Sequence, residues 1–399
     1  MDTLKKRRVV FVNLHGNEFL VKTLNKIVFG QSVAVKHRYL LDYLLGCNDI
    51  EVCTYINERG LSLSYTTRNP LLQSFRFIEH KIAMRKNGIP LDKITVLKKE
   101  SEIRPDDIVV SYSYYGQTQL VFSSVPDAVR VICQIHFGTQ NSAVEQQFAP
   151  HAMYNESDLR KYSGMWRRDL PWFDKIFITI PFVFETRFKS NISFDNRKNK
   201  AVSVGTITYM YNITDYYGDP CAQPARKNCR LLAQERPDLI DSFNFDYLEN
   251  QQSDKQKPID NSFIKTYRRL KAKITGGHQK QYYSFNMVDK LNSYKIAVVG
   301  EEVMGIPGIG FVEAMACGCA FIGQNIGYYE DYGMIDGIHY IAYDGSKEDL
   351  EAKIEYWTRP ENADKLKRIA ETGHEFVTQN FNKDIVAKQL VDKLLALKK

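Results

Sequence analysis

Three glycines, Gly305, Gly308 and Gly310, precede Glu313 within nine residues of this 399-residue chain. Glycines let backbone N–H groups approach an anion without side-chain clash, and a helix starting just after them adds the partial positive charge of its N-terminus. Ile309 lies inside that run. A carboxylate in the first helical turn suits hydrogen bonds from vicinal hydroxyls of a ribose or hexose. Its plainer role is to complement the helix dipole, worth ~0.3–1 kcal/mol. Gly205-Thr206 ends a strand-like run and either brings backbone to a phosphate or simply turns the chain. Arg226 and Lys227 open a helix-like stretch; they could neutralise a diphosphate, or face solvent. His136 ends the run VRVICQI, where an imidazole could serve as general base toward a hydroxyl or as a hydrogen-bonded structural group. His15 also follows a strand-like run, the segment Gly276–Lys280 is a turn with a basic end that could line a cleft, and Tyr112, Tyr114 and Tyr115 could stack on a sugar or simply pack.

The elements that would position these groups alternate. Short β-branched runs occur at Arg8–Leu14, Ile50–Ile56, Asp107–Tyr112, Val129–Ile135 and Lys175–Ile180, with helical spacing at Val33–Leu45. Such strands, separated by helices, predict a parallel sheet covered on both faces. The polar stretch 191–200 reads as a linker. Beyond it come strands at Ala201–Val204, Lys295–Val299 and Ala320–Gly323, and a short helix at 311–317 stopped by Gly318. Helices are expected at Leu350–Trp357, Ala363–Gln379 and Lys383–Leu397. The last is amphipathic, with Ile385, Val386, Leu390, Val391 and Leu394 at helical spacing. Residues 207–262 carry little periodicity outside Asn228–Gln234. In open α/β sheets ligands sit beyond the carboxyl ends of the strands, which is where the residues named above fall.

Composition narrows the classes. Hydrophobic residues make up 44% and charged residues 25%, as in an ordinary globular protein and unlike a disordered or collagen-like one. The best candidate for a spanning segment, Ile176–Phe184, has nine residues and a proline, too little for a spanning helix. The basic N-terminus leads into a strand-like run with no cleavage site, so no secretion signal is read. Seven cysteines, with no Cys-x-x-Cys, read as buried thiols in a reducing, cytoplasmic setting. No His-x-His, His-Glu-x-x-His or Asp-x-Asp occurs, so no metal site is expected. The net charge of +7 is uneven, with +9 in residues 1–200 and −2 in the rest. That basic half could be a solvated surface or could face an anionic membrane or substrate. Phe75–Arg85, apolar and basic at helical spacing, favours peripheral contact with a membrane inner face or a charged acceptor. Nothing resembles a nucleic-acid-binding motif.

One segment resembles a known family. The run Gly310–Ile322 (GFVEAMACGCAFI) looks like the donor-site segment of GT-B glycosyltransferases, notably the retaining group 1 family. Gly327, Glu330, Asp336-Gly337 and Tyr343-Asp344 fit the continuation of that pattern. The C-terminal stretch is similar to the end of group 1 and spore-maturation-type glycosyltransferases. The resemblance covers about residues 290–399, and extends faintly to Ala201–Thr206. It implies two Rossmann-like domains facing a cleft, at 1–195 and 201–382, with a C-terminal helix, 383–399, crossing back to the first. It implies that Glu313 contacts the nucleotide ribose. The family's first glutamate, eight residues earlier, falls here on Gly305; Glu302 could replace it if the loop has gained three residues, with Glu301 adjacent. Gly205, Thr206, Arg226, Lys227, Gly308, Ile309 and Gly310 complete the implied donor site, and His136 with Glu302 the implied chemistry.

The activity so implied is metal-independent transfer of a sugar from a nucleotide-sugar donor. The acceptor would be a glycan, lipid-linked or other hydroxyl, in surface polysaccharide or glycoconjugate synthesis, with no cofactor and no nucleic-acid partner. The alternative is a catalytically silent GT-B protein that binds sugars or scaffolds a complex. A dinucleotide-dependent oxidoreductase and a sugar-nucleotide epimerase stand further off. The oxidoreductase reading rests on the glycine spacing alone, and the helix after those glycines is too short for it.

Overall fold

The structure is a computed structural model that describes residues 6–12, 38–55, 85, 88–97, 99–112, 125, 127–134, 139, 142–147, 149–246 and 286–398. The chain divides into two compact units. One comprises Met1–Asp158, Trp166–Ile180 and Asp384–Lys399; the other Leu159–Met165 and Pro181–Lys383.

The first unit holds a seven-stranded sheet in the order β3-β2-β1-β4-β5-β6-β7. Its strands are β1 (Arg7–Val12), β2 (Ile50–Tyr55), β3 (Thr95–Leu97), β4 (Ile108–Tyr112), β5 (Val129–Cys133), β6 (Ala152–Asn155) and β7 (Ile176–Thr179). Every pairing is parallel. Near-continuous burial, as at Val9–Val12 and Val131–Cys133, is the mark of a sheet covered on both faces. Helix α1 (Arg38–Gly46) buries Leu40, Leu41 and Leu44.

The second unit holds five strands, all parallel, in the order β12-β11-β10-β8-β9. They are β8 (Lys198–Ile207), β9 (Ile240–Asp246), β10 (Tyr294–Val298), β11 (Ala320–Gln324) and β12 (Ile341–Tyr343). Its helices include α2 (Pro224–Glu235), α3 (Met287–Asn292), α4 (Gly310–Ala316), α5 (Lys347–Thr358) and α6 (Ala363–Asn380). Ala201, Ile296, Val298 and Ile322 of the sheet form one core with Leu232, Leu350, Ile354, Leu366 and Ile369 of the helices. Each fully buried leucine or isoleucine stabilises such a core by ~1.5–3 kcal/mol. Pro224 at the first position of α2 fixes φ where no N–H partner is required. Gly318, at φ +78°, takes the left-handed turn that ends α4 and lets β11 begin two residues later.

The last helix, α7 (Lys383–Leu395), has Asp384 onward in the first unit, where the Arg7 guanidinium donates to the Leu395 carbonyl. Its buried face is Val386, Ala387, Leu390, Val391 and Leu394. Ile385, expected on that face, is 40% exposed, because it lies one helical step away from the stripe.

The polar stretch 191–200 lies inside the second unit. Arg197 is buried there and donates to the Ser190 hydroxyl (2.8 Å) and the carbonyls of Ile192 and Cys317 (both 2.8 Å). The polarity of the stretch is that of a tied turn, and its last three residues already belong to β8. All seven cysteines are free thiols. Among the described residues, no helix is long and apolar enough to cross a membrane.

Candidate functional site

The second sheet changes direction between β8 and β10: β9 follows on one side of β8, and β10 to β12 on the other. Pairing of β8 with β10 ends at Ser203↔Val298, whereas pairing with β9 runs on to Ile207↔Asp246. Beyond Ser203 the β10 side of β8 therefore has no strand neighbour, and a crevice opens at the topological switch point. Gly205-Thr206, expected to follow a strand, is inside it, because β9 keeps pairing that far.

A cavity occupies this crevice. Its apolar wall is Val202 and Val204 of β8, Ala297 and Val299 at the end of β10, and Met287 and Leu291 of α3. Gly205, Arg226, Ile309, Gly310 and Glu313 complete the lining. Five residues singled out by sequence, from three separate parts of the chain, thus surround one space.

Arg226 sits in the first turn of α2 and points back over β8. Its Nη1 donates to the Thr206 carbonyl at 2.9 Å, and its Nε is buried with no partner. The guanidinium fits only because two neighbours lack side chains. A Cβ on Gly205 would stand 2.9 Å from Arg226 Cδ and Nε, and one on Gly308 would stand 2.6 Å from Nη2. Thr206 contributes its carbonyl rather than its side chain. Lys227, one residue on, is exposed on another face of α2, 3.9 Å from the Asp219 carboxylate, and does not line the cavity.

Glu313 lies in the first turn of α4, and no hydrogen bond from a described residue reaches its carboxylate. Burial pushes its carboxyl up to about 7; Arg187 pulls it down and Glu185 pushes it further up. The segment bearing Arg187 and Glu185 runs along α4, with the Phe182 ring 6.2 Å from Phe311 and Arg197 bound to the Cys317 carbonyl.

The loop between β10 and α4 is ordered by its two glutamates in different ways. Glu301 is 1% exposed; its Oε1 accepts from the Gln324 backbone N–H (2.8 Å) and the Tyr329 hydroxyl (2.5 Å), and its Oε2 has no partner. Burial raises this carboxyl. Glu302 is half-buried and accepts from Gln223 Nε2 at 3.4 Å. Its N–H donates to the Ile306 carbonyl (2.7 Å), and Gly305 N–H closes the turn on the Glu302 carbonyl (2.7 Å). Gly305 has φ +82°, strained for any residue with a side chain, and a Cβ there would meet Ile326 Cδ1 at 3.1 Å. The position where the resembled family carries its first glutamate is thus the left-handed corner of a tight turn.

His136, His15, Tyr114, Tyr115, Gly276–Lys280 and all of Phe75–Arg85 except Arg85 lie outside the described residues. The sequence pattern did not single out Gln223 or Tyr162, whose hydroxyl bonds the Gly327 carbonyl (2.9 Å) and Asp331 (2.6 Å). Only Gln223 had a local signal, its place directly before the proline that starts α2. Among the described residues, no group of three or more histidine, cysteine, aspartate or glutamate side chains is placed to hold a metal ion.

No known family profile matches this chain, and no curated protein matches it in sequence. Solved structures do match in fold. HepE of Anabaena, crystallised with UDP and glucose, superposes with a TM-score of 0.52 over 98% of this chain and 99% of its own, at 12% identity. HepE with UDP-glucose gives 0.52 over 98% and 100%, at 14% identity. A glycosyltransferase from Rickettsia africae gives 0.50 over 98% and 100%, at 13% identity. The chain has the GT-B fold.

Proposed function

We propose that this chain is a glycosyltransferase that binds a nucleotide-sugar donor in the crevice of its second unit. One observation carries the reading. An apolar-walled cavity at the switch point presents a guanidinium with an unpartnered N–H beside a carboxylate that no described residue satisfies. A nucleoside diphosphate supplies the complements: a flat apolar base for the wall, vicinal ribose hydroxyls for Glu313, and phosphate oxygens for Arg226. HepE, which shares the fold, was crystallised with UDP-glucose, so uridine donors are the first to test.

In this account Arg226 meets the charge that develops on the departing diphosphate, with the Gly308–Gly310 backbone beside it. A positive group placed where charge appears stabilises the transition state. That role needs no metal ion. Glu302 takes the sugar side in place of the carboxylate absent at Gly305, and His136 of the first unit takes the acceptor proton. The acceptor is a hydroxyl of a glycan or lipid-linked glycan, met on the cytoplasmic side with the basic N-terminal half toward the membrane face.

The test is release of free nucleotide from a panel of nucleotide-sugars, UDP-glucose first, with and without hydroxyl acceptors. Gly305 supports the second reading, a silent sugar-nucleotide-binding protein, because its left-handed backbone, φ +82°, would strain any side chain placed there. Tight nucleotide binding without any turnover would decide for that reading.

A further inference from the structure

The segment 220–226 builds more of the site than Arg226 alone. Ala222 exchanges backbone hydrogen bonds with two sides: its N–H donates to the Thr208 carbonyl (2.9 Å), and its carbonyl accepts from Val303 N–H (2.8 Å). Between Ala222 and Pro224 stands Gln223, only 5% exposed. Its Oε1 accepts from both the backbone N–H and the hydroxyl of Thr208, each at 2.8 Å. A backbone N–H can only donate, so the amide oxygen must face Thr208 and the NH2 must face the other way. There it meets Glu302 Oε1 at 3.4 Å. The orientation of the amide is therefore fixed by Thr208, the residue that follows β8, and what it offers Glu302 is a donor.

We propose that Gln223 is a positioning residue of Glu302: anchored on Thr208, its amide holds the Glu302 carboxylate in one rotamer on the loop that leads to Gly308. The inference rests on the glycosyltransferase reading for what Glu302 does, and not for the contact itself. The physical reason for such a device is plain. A carboxylate on a loop loses geometry unless another group restricts it, and a small misplacement of a reacting group is costly in rate. The backbone bond from Val303 to Ala222 holds the loop's main chain, and Gln223 adds the side-chain restraint. The same segment then delivers Arg226 one turn later, so the diphosphate and sugar sides of the site share one support.

The experiment is a polarity swap followed by stability and donor turnover. Gln223→Glu keeps the acceptor for Thr208 and puts a carboxylate against Glu302. Gln223→Glu/Glu302→Gln restores one donor and one acceptor with the order reversed. Melting temperature should fall in the single variant and recover in the double. UDP release from UDP-glucose in water should fall about tenfold or more in Gln223→Glu, while UDP affinity by calorimetry stays within twofold of wild type. In a cycle of Gln223→Leu and Glu302→Gln, the losses should be strongly non-additive. Additive losses, or no recovery of stability in the swap, overturn the positioning role. Absence of UDP binding by the wild type would instead strike the donor-site reading, and the stability cycle would still judge the contact.

Discussion

Arg226 and Gly308 are locked by volume: a single Cβ at residue 308 would stand 2.6 Å from Arg226 Nη2, closer than real Cβ contacts come. The guanidinium keeps its place over β8 because the loop beneath it has no side chain there. Gly308→Ala should therefore displace Arg226 rather than the fold. Nucleoside diphosphate affinity is expected to drop about tenfold, the scale of one charge-assisted hydrogen bond, with the melting temperature within a few degrees of wild type. An unchanged affinity would show that Arg226 does not touch the ligand.

The ionisation of Glu313 gives a pH signature. Burial raises its carboxyl to about 7, and the ionised form accepts stronger, charge-assisted hydrogen bonds from the ribose hydroxyls. Ligand binding should pull the proton off, so affinity rises with pH. Roughly tenfold is lost one pH unit below the free-state value. The phosphate of the ligand titrates too, so the comparison with Glu313→Gln matters: that variant should lack the component centred near 7. Parallel profiles for the two proteins would remove Glu313 from the site.

Glu145 makes a prediction about stability in the first unit. It is 4% exposed, both carboxylate oxygens lack partners, and burial pushes the carboxyl up to about 8. Because the folded state holds the proton more tightly than the unfolded one, stability falls as pH rises from the unfolded value toward 8, then levels off. Glu145→Gln removes that loss. Its melting temperature should match wild type near pH 4 and exceed it above pH 8, where the stability difference is on the order of a few kcal/mol. A difference that does not change with pH would contradict this.

The proposed chemistry needs no divalent ion and a base outside the second unit. Turnover should survive excess EDTA. His136→Ala should lower kcat by ~10²–10⁴ and spare nucleotide affinity. Rescue of an EDTA-inhibited enzyme by Mn²⁺ would replace the cationic role given to Arg226. A mere halving of the rate in His136→Ala would leave the acceptor proton to another group.

Legibility in the sequence followed the physics of each element. The strands around Val9–Val12 and Val129–Cys133 were plain because strands buried on both faces are unbroken apolar runs. Helices α5 and α6 were plain from their period. β9 was hidden because Asp241, Ser242, Asn244 and Asp246 interrupt its apolar pattern. Several of those polar groups are satisfied in the fold: Asn244 Nδ2, for example, donates to the Ser203 hydroxyl at 2.9 Å. The glycines and Glu313 could be read locally, since they fall within nine residues of one another. Gln223 is marked locally only by its place before Pro224, and its role depends on Thr208 and Glu302, 15 and 79 residues away in sequence.

The account stands most directly on calorimetric titration of nucleoside diphosphates, UDP first, into wild type and Glu313→Ala. Wild type should bind one of them saturably, one per chain. Glu313→Ala, melting normally, should bind it more than tenfold more weakly, for loss of a charge-assisted hydrogen bond worth ~1.5–3 kcal/mol. No binding to wild type, or equal affinity in the two proteins, would contradict the donor site placed between β8, β10 and α4.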